Sequence, residues 1–162
     1  MSTLATIGVY GFDRDSFLAA LGEAEVDLLL DVRQRRGVRG SEYAWANAQR
    51  LQAALAEAGI AYSHLKELAP TTEMRQVQYR EDARLGEGKR SRTSLAPAYV
   101  RLYTEQILDA ADLAPVVRWI GGSSAALLCV ERDPEACHRS LIAERLQREW
   151  GFSVRDLRPP PP

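Results

Sequence analysis

The side chains with the most reactive chemistry in this sequence lie close together in residues 129–140, CVERDPEACHRS. The segment holds both cysteines of the chain, Cys129 and Cys137, and one of its two histidines, His138. A thiol with an imidazole partner can act as a nucleophile, and thiols with a histidine can also bind zinc. Buried cysteines can equally be packing residues. The segment therefore raises three hypotheses: a nucleophile, a metal site or a structural motif.

The residues DPE at 133–135 have the pattern of a helix start, with aspartate as the N-cap and proline in the first turn. This pattern predicts a helix over 133–151 and puts Cys137 near its fourth position, where the helix dipole favours a thiolate. Neighbouring side chains on a helix point about 100° apart, so Cys137 and His138 are not expected to face each other. A covalent role for Cys137 then requires a base from another element.

Glu131 and His64, which end two other predicted strands, are the expected bases for Cys137. Each also has a structural interpretation, Glu131 as a buried acid paired with an arginine and His64 as a histidine at the edge of the core. Cys129 lies within a predicted strand and fits a small buried residue, and His138 is expected to point towards the sheet. The predicted catalytic residues are Cys137, Glu131, His64 and His138. Zinc needs separated ligand pairs rather than an adjacent Cys-His, so we expect no metal and no cofactor.

Short apolar runs alternate with helical patterns along the chain. The runs are apolar throughout rather than alternating, which is typical of parallel strands covered on both faces. Strand–helix alternation of this kind predicts the α/β class, a single three-layer domain with a mostly parallel central sheet and helices on both faces. The predicted strands are residues 4–9, 26–32, 60–65, 125–131 and 152–157.

Amphipathic spacing and capping residues predict the helices between these strands. We expect helices that begin after Asp13, run from Trp45 to Ala58, and cover residues near 74–85, 96–112 and 133–151. The domain is expected to span residues 1–158, with a polar insert at 66–95. Residues 159–162 are all proline and are expected to form a disordered tail.

Polar residues follow the carboxyl ends of several predicted strands. In open α/β sheets, ligands bind beyond these ends. We therefore expect a binding cleft at this edge of the sheet. The residues predicted there are Tyr10 after the first strand, Asp31 and Arg33 after the second, His64 after the third, and Glu131, Cys137, His138 and Arg139 after the fourth.

The loop DVRQRRGVRG, residues 31–40, carries four arginines and no acid after its first residue. The planar fork of arginine suits a phosphate or a carboxylate, so the loop predicts anion binding. The alternatives are that the arginines are solvated and that the aspartate bonds loop backbone amides. The predicted anion-binding residues are Tyr10, Asp31, Arg33, Arg36 and Arg139.

The composition limits the classes of partner. A net charge of −1 gives no general attraction to nucleic acid or to membranes, so an anionic partner has to meet a local patch. No run approaches the roughly 18 apolar residues that a membrane span needs, and the N-terminal residues lack the pattern of a secretory signal. Two cysteines do not form a disulfide framework. We expect a reduced, cytoplasmic protein that does not bind membranes.

Four stretches, TIGVYGF, LLLDVRQRRGVRG, IAYSHLKELAP and LLCVERDPEACHRSLIAERL, give the chain a resemblance to a known family. The chain resembles a bacterial family catalogued as domain of unknown function 488. The resemblance implies an α/β fold, without a reaction, and motif positions at Asp31, Arg33, Cys129, Glu131, Cys137, His138 and Arg139. Many members follow the third strand with Leu-Gly-Gly, whereas ELAP here precedes the polar insert. The basic residues of this insert are expected either to close over an anion or to lie in solvent. They are Arg75, Lys89, Arg90 and Arg92.

These patterns favour a small enzyme that acts on an anionic substrate, a nucleotide or a nucleic-acid component, at the carboxyl edge of the sheet. The first alternative is a non-catalytic nucleotide- or nucleic-acid-binding domain, whose affinity would fall steeply with salt. A weaker alternative is a metal- or redox-sensing module built on the two thiols. The low aromatic content, 7%, provides no stacking platform for single-stranded nucleic acid.

Overall fold

Five strands form one central sheet in the computed structural model, which describes residues 3–88 and 90–161. They are β1 (Thr3–Ile7), β2 (Leu28–Asp31), β3 (Ala61–His64), β4 (Ala125–Leu128) and β5 (Ser153–Leu157). Their order across the sheet is β3-β2-β4-β1-β5, and every neighbouring pair is parallel. The predicted α/β class is confirmed, and within the described residues the sheet is wholly parallel.

Six α-helices connect and cover these strands in the described part of the chain. They are α1 (Arg14–Glu23), α2 (Ala48–Glu57), α3 (Thr72–Arg84), α4 (Pro97–Tyr103), α5 (Ala114–Gly121) and α6 (Arg139–Trp150). The connections β1–β2 and β2–β3 run one way across the sheet, and β3–β4 and β4–β5 run the other way. Right-handed crossovers therefore put α1 and α2 on one face and the helices after β3 on the other, which gives the three layers.

Ring contacts agree with this division of the helices. Phe17 of α1 packs against Trp45, just before α2, with ring centroids 4.9 Å apart. On the other face, Tyr103 of α4 packs against His138, at the start of α6, with centroids 5.4 Å apart. Of the three inner strands, β2 and β4 are buried at every residue between these layers, and β1 is buried from Leu4 to Ile7, as their apolar sequences require.

Local sequence signals set several of the helix boundaries. Asp13 caps α1, accepting a hydrogen bond from the Ser16 backbone N–H at 2.8 Å, while the Ser16 hydroxyl accepts one from the Asp13 backbone N–H. At the other end of the chain, α6 stops at Gly151, whose φ of 74° is the left-handed conformation that glycine adopts readily.

The structure differs from the predicted elements at four places. β4 ends at Leu128 rather than at residue 131, α5 was not predicted, and the predicted helix 96–112 is α4 followed by a π-helical turn, Thr104–Leu108. The prediction of one helix over 133–151 is wrong. Residues Pro134–Ala136 form a separate 3-10 turn, Cys137 is extended with φ −141° and ψ 146°, and α6 begins at Arg139.

The predicted proline tail begins with a residue that packs against the rest of the fold. Pro159, the first residue of the predicted tail, is buried, and its Cγ would lie 2.7 Å from a Cβ on Gly11. Pro162, and Lys89 of the polar insert, lie outside the described residues. None of the helices in the described ranges is both long enough and apolar enough to cross a membrane.

Candidate active site

A cavity of about 700 Å³ lies at the carboxyl edge of the sheet, where the sequence predicts a cleft. The connection that leaves β4 runs opposite to those that leave its neighbours β1 and β2, so the edge of β4 is the switch point at which ligands bind in such sheets. The polar insert contributes residues of α3, together with Gly88, Arg90, Ser91, Arg92 and Leu95, to the walls of this cavity. The reactive residues that line it are Cys129, Glu131, Cys137 and His138, and the aromatic ones are Tyr10, Tyr79 and Tyr99.

The segment after β4 is fixed by the segment after β1. The backbone N–H groups of Val9 and Tyr10 both donate to the Val130 carbonyl, each at 3.0 Å. A Cβ on Gly8 would lie 1.9 Å from the carbonyl oxygen of Glu131, so no larger residue fits at position 8 without moving this backbone. The contact sets where the side chains of residues 129 and 131 enter the cavity.

The tautomer of His138 is set by one backbone hydrogen bond. Its Nε2 lies 2.7 Å from the carbonyl oxygen of Val32, and since a carbonyl can only accept, Nε2 carries the proton and donates. Its Nδ1 then faces two thiols, with Cys129 Sγ at 3.6 Å and Cys137 Sγ at 3.8 Å. The extended backbone of Cys137 makes this contact possible, so the expectation that Cys137 and His138 do not face each other is wrong.

The two thiols differ in their preferred protonation state. Burial acts to raise the pKa of Cys137, but a hydrogen bond from Cys129 and the charges of Arg139 and His138 outweigh it and hold that pKa well below its ordinary value. Burial, together with the Cys137 charge, raises the pKa of Cys129 well above its ordinary value. For His138, burial acts downward, and the Cys137 charge raises the pKa above 6.5. The favoured state is a Cys137 thiolate beside a His138 imidazolium, with Cys129 protonated.

The same cluster contains ligand types that zinc prefers. Ligand atoms of Cys129, Cys137 and His138 all lie within 4.8 Å of one another. The hydrogen bond from Nε2 to a backbone carbonyl is also what a metal-bound histidine needs. The nearby carboxylate of Glu131 is paired with Arg92, NH2 to Oε1 at 2.6 Å, so this set supplies three ligands rather than a closed set of four. Metal content is therefore a direct test of the role of the thiolate.

Arg92 is a site residue whose role the sequence did not reveal. Its side chain, 5% exposed, pairs with Asp82 of α3 at 2.7 Å and with Glu131 at 2.6 Å, and its Nε donates to the Ala136 carbonyl at 3.1 Å. Gln78 supports Asp82 through a hydrogen bond of 2.8 Å. Arg92 neither holds a free anion nor lies in solvent, the two alternatives from the sequence. The buried polar pair four residues apart on α3 was the available signal.

Asp31 and Arg33 are partners of each other. Arg33 Nε and NH2 donate to the two carboxylate oxygens of Asp31 at 2.9 and 2.8 Å, and both side chains are buried. The Tyr62 hydroxyl donates to the same carboxylate at 2.5 Å, and Arg33 NH1 donates to the Ala46 carbonyl. The Arg33 backbone N–H also bonds Asp31, which fits the loop-bonding alternative. Their charges are paired with each other, and Arg33 also lies in the cavity lining, so anion binding by these two residues stays a prediction.

Three other predicted residues, Arg36, His64 and Arg139, are not among the described residues that line the cavity. Arg139 is fully buried and donates to the Glu131 and Arg132 carbonyls, at 2.7 and 3.2 Å, which leaves it as a structural cation behind the thiolate. Arg36 NH1 donates to a tyrosine hydroxyl at 3.4 Å, and His64 Nε2 donates to a backbone carbonyl at 2.8 Å. His64 is thus a structural histidine at the sheet edge, not the base for the thiol.

Arginines outside the predicted anion-binding set also line the cavity. Arg35 and Arg39 line the cavity, and neither has an acidic partner in the described part of the chain. Arg75 contacts neutral groups of Gln34 and Tyr79. Arg90 lies over the ring of Tyr10, another cavity residue, with its guanidinium carbon 5.0 Å from the ring centroid. The predicted anion-binding loop does form part of the cavity, through the expected Arg33 and also through Arg35 and Arg39.

Comparisons with other proteins agree with the resemblance seen in the sequence. Neither the curated proteins nor the solved structures that were searched include a significant match. The model of one family, described as "Domain of unknown function DUF488", matches residues 13–146. This match covers three of the five strands, every described lining residue of the cavity except Tyr10, and the whole CVERDPEACHRS segment, and the chain belongs to that family.

Proposed function

We propose that this protein is an enzyme that acts on an anionic small molecule, with Cys137 as the nucleophile and His138 as its acid–base partner. The observation that carries the proposal is the pair itself, Nδ1 and Sγ at 3.8 Å in the wall of a cavity, with Nε2 locked by the Val32 carbonyl. An activated cysteine needs a positioned base that a third group orients, and this arrangement meets that requirement.

The substrate class follows from the cavity wall. Arg35, Arg39, Arg75 and Arg90 line it, and Glu131 is the one acid in the described lining, where Arg92 already neutralises it. Such a wall attracts a phosphate or a carboxylate. A volume of about 700 Å³ is typical of sites for small molecules. Because tyrosine rings share the lining with these arginines, we propose a nucleotide or a nucleic-acid component as the substrate.

The proposed reaction is a nucleophilic substitution. The Cys137 thiolate attacks an electrophilic atom of the bound substrate, a bond from sulfur to that atom forms, and the bond to the leaving group breaks. The proton on His138 Nδ1 passes to the leaving group. The protonated Cys129 donates a hydrogen bond to the thiolate before the attack, and Glu131 Oε2 lies 3.7 Å from Cys129 Sγ.

Alkylation by iodoacetamide as a function of pH tests the nucleophile. In native wild-type protein, which keeps the hydrogen bond from Cys129, we expect Cys137 to react rapidly well below the ordinary thiol pKa of about 8.5, with peptide mapping to identify the alkylated cysteine. The matched variant Cys137→Ala should react slowly, since Cys129 is protonated. Reaction of Cys137 after denaturation alone would contradict the proposal. Stoichiometric zinc in the purified protein would contradict it too, because the thiolate would then be a ligand.

Protection from alkylation tests the substrate class. Adenosine monophosphate should slow the alkylation of Cys137 more strongly than inorganic phosphate does, since the former can contact both the arginines and the tyrosine rings. The double variant Arg35→Gln/Arg39→Gln should lose this protection while its alkylation rate without nucleotide is unchanged. Equal protection in this variant and in the parent protein would contradict the proposed binding mode.

A further inference from the structure

The second thiol of the cluster has no covalent part in the proposed substitution. Cys129 is nevertheless buried beside Cys137, both side chains line the cavity, and both sulfur atoms lie within 4 Å of the same imidazole nitrogen, at 3.6 and 3.8 Å. The sulfur atoms themselves lie within 4.8 Å of each other. Two thiols this close in the lining of one cavity form a site for reversible oxidation.

We propose that hydroperoxides convert Cys129 and Cys137 into a reversible disulfide, a reaction beyond the proposed substrate chemistry. A disulfide bond of about 2.05 Å requires the two sulfur atoms to approach each other. The backbone N–H of Cys129 donates to the Ile7 carbonyl at 3.2 Å, and Cys137 lies between a 3-10 turn and α6. We therefore expect the sulfur atoms to meet by rotation of the two side chains rather than by movement of the sheet.

Cys137 is the thiol that meets the oxidant first. Its sulfur is the thiolate of the pair, and thiolates rather than thiols react with hydroperoxides. The thiolate attacks one oxygen of the hydroperoxide, a sulfur–oxygen bond forms, and the oxygen–oxygen bond breaks. The proton on His138 Nδ1 passes to the departing alkoxide, which leaves as an alcohol, or as water when the oxidant is hydrogen peroxide. Cys137 becomes a sulfenic acid.

Cys129 is the resolving thiol of the second step. Its sulfur attacks the sulfur of the sulfenic acid, the disulfide forms, and the sulfur–oxygen bond breaks. The proton from Cys129 passes through Glu131 Oε2, 3.7 Å from its sulfur, to the departing hydroxide, which leaves as water. In total the two thiols lose two electrons and the hydroperoxide gains them. A dithiol reductant reverses the change and restores the Cys137 thiolate.

Mass spectrometry of the full-length native protein after treatment with hydrogen peroxide tests this inference. We expect the mass to fall by two hydrogen atoms, a Cys129–Cys137 cross-link in the peptide map, and recovery of both thiols with dithiothreitol. In Cys129→Ala, Cys137 should instead gain oxygen, because no resolving thiol remains. Wild-type protein in which Cys137 gains oxygen without a cross-link, or in which the cross-link forms only in denaturant, would overturn the inference.

The readout separates this inference from the proposed function. Disulfide formation in a protein whose Cys137 no nucleotide or phosphate protects would support the oxidation site and count against the proposed substrate. Nucleotide protection of Cys137 in a protein that forms no cross-link would support the proposed substrate and count against the oxidation site. The wild-type measurement needs no substitution, so a variant that fails to fold does not affect the decision.

Discussion

Replacing Arg92 by methionine tests whether the buried ion network holds the site together. Methionine keeps much of the length of the side chain and removes the guanidinium, so the buried carboxylates of Asp82 and Glu131 lose their ion pairs with Arg92. These two side chains are 5% and 8% exposed, and Arg92 itself is 5% exposed, so water does not replace the lost contacts. The hydrogen bond from Arg92 to the Ala136 carbonyl is also lost.

Removing one partner of a buried ion pair costs about 3–5 kcal/mol. Two acids lose the same partner here, so we expect Arg92→Met to reduce the free energy of unfolding by at least about 4 kcal/mol. Against a total stability of roughly 5–15 kcal/mol for a natural domain, this is a large fraction. Urea denaturation followed by circular dichroism measures the change directly, provided that the m-value is unchanged.

Arg84→Met is the matched control for this prediction. Arg84 also pairs with an acid on α3, Glu81, but its side chain is 68% exposed, and exposed pairs contribute little. We expect no measurable change for this variant. Equal losses in Arg84→Met and Arg92→Met would refute the reasoning, since burial would then not set the cost. Adding Asp82→Asn and Glu131→Gln to Arg92→Met should recover part of the loss, because neutral amides do not need the guanidinium.

Three further predictions concern the backbone contact and the imidazole. Gly8→Ala puts a methyl group 1.9 Å from the Glu131 carbonyl oxygen and should destabilise the fold by at least about 3 kcal/mol in urea denaturation. Its control is Gly22→Ala, which lies in open space on α1 and should stabilise the fold by up to about 1 kcal/mol. His138→Gln should raise the pKa of Cys137, so iodoacetamide alkylation at neutral pH should slow about tenfold for each unit of that rise; an unchanged rate would exclude the ion pair. The pKa of His138 in the folded protein is raised, so its contribution to stability is full below pH 6.5 and is lost as the pH rises through that folded-state pKa. The difference in free energy of unfolding between wild type and His138→Gln should therefore shrink over that pH range.

The sequence predicted the fold well because its strongest signals are local. The apolar strand segments, the aspartate that caps α1 and the glycine that ends α6 each act within a few residues, and the structure retains all of them. The position of the cavity was also predictable, since the carboxyl ends of parallel strands meet at one edge. α5 was missed because its eight residues carry no side-chain N-cap.

The side-chain partners were not predictable, because they depend on contacts far apart in the chain. The proline turn before Cys137 looks like the start of a helix, yet His138 bonds Val32, which lies 106 residues earlier. Arg92 joins Asp82, 10 residues before it, to Glu131, 39 residues after it. Residue types alone do not show which arginine of a loop turns inward, so the sequence did not identify Arg35 and Arg39 as members of the cavity wall.

The arginines around the cavity form two groups with different roles. Arg33 and Arg92 are buried on carboxylates, and Arg139 on backbone carbonyls, so their charges hold the loops and, for Arg139, stabilise the thiolate. Arg35 and Arg39 face the cavity without an acid in the described residues. A chain with a net charge of −1 can therefore present a positive cavity, because Asp31, Asp82 and Glu131 are already paired with Arg33 and Arg92. Salt screens exposed charges far more than buried ones, so nucleotide protection should weaken at high ionic strength while the pKa of Cys137 stays where the buried group holds it.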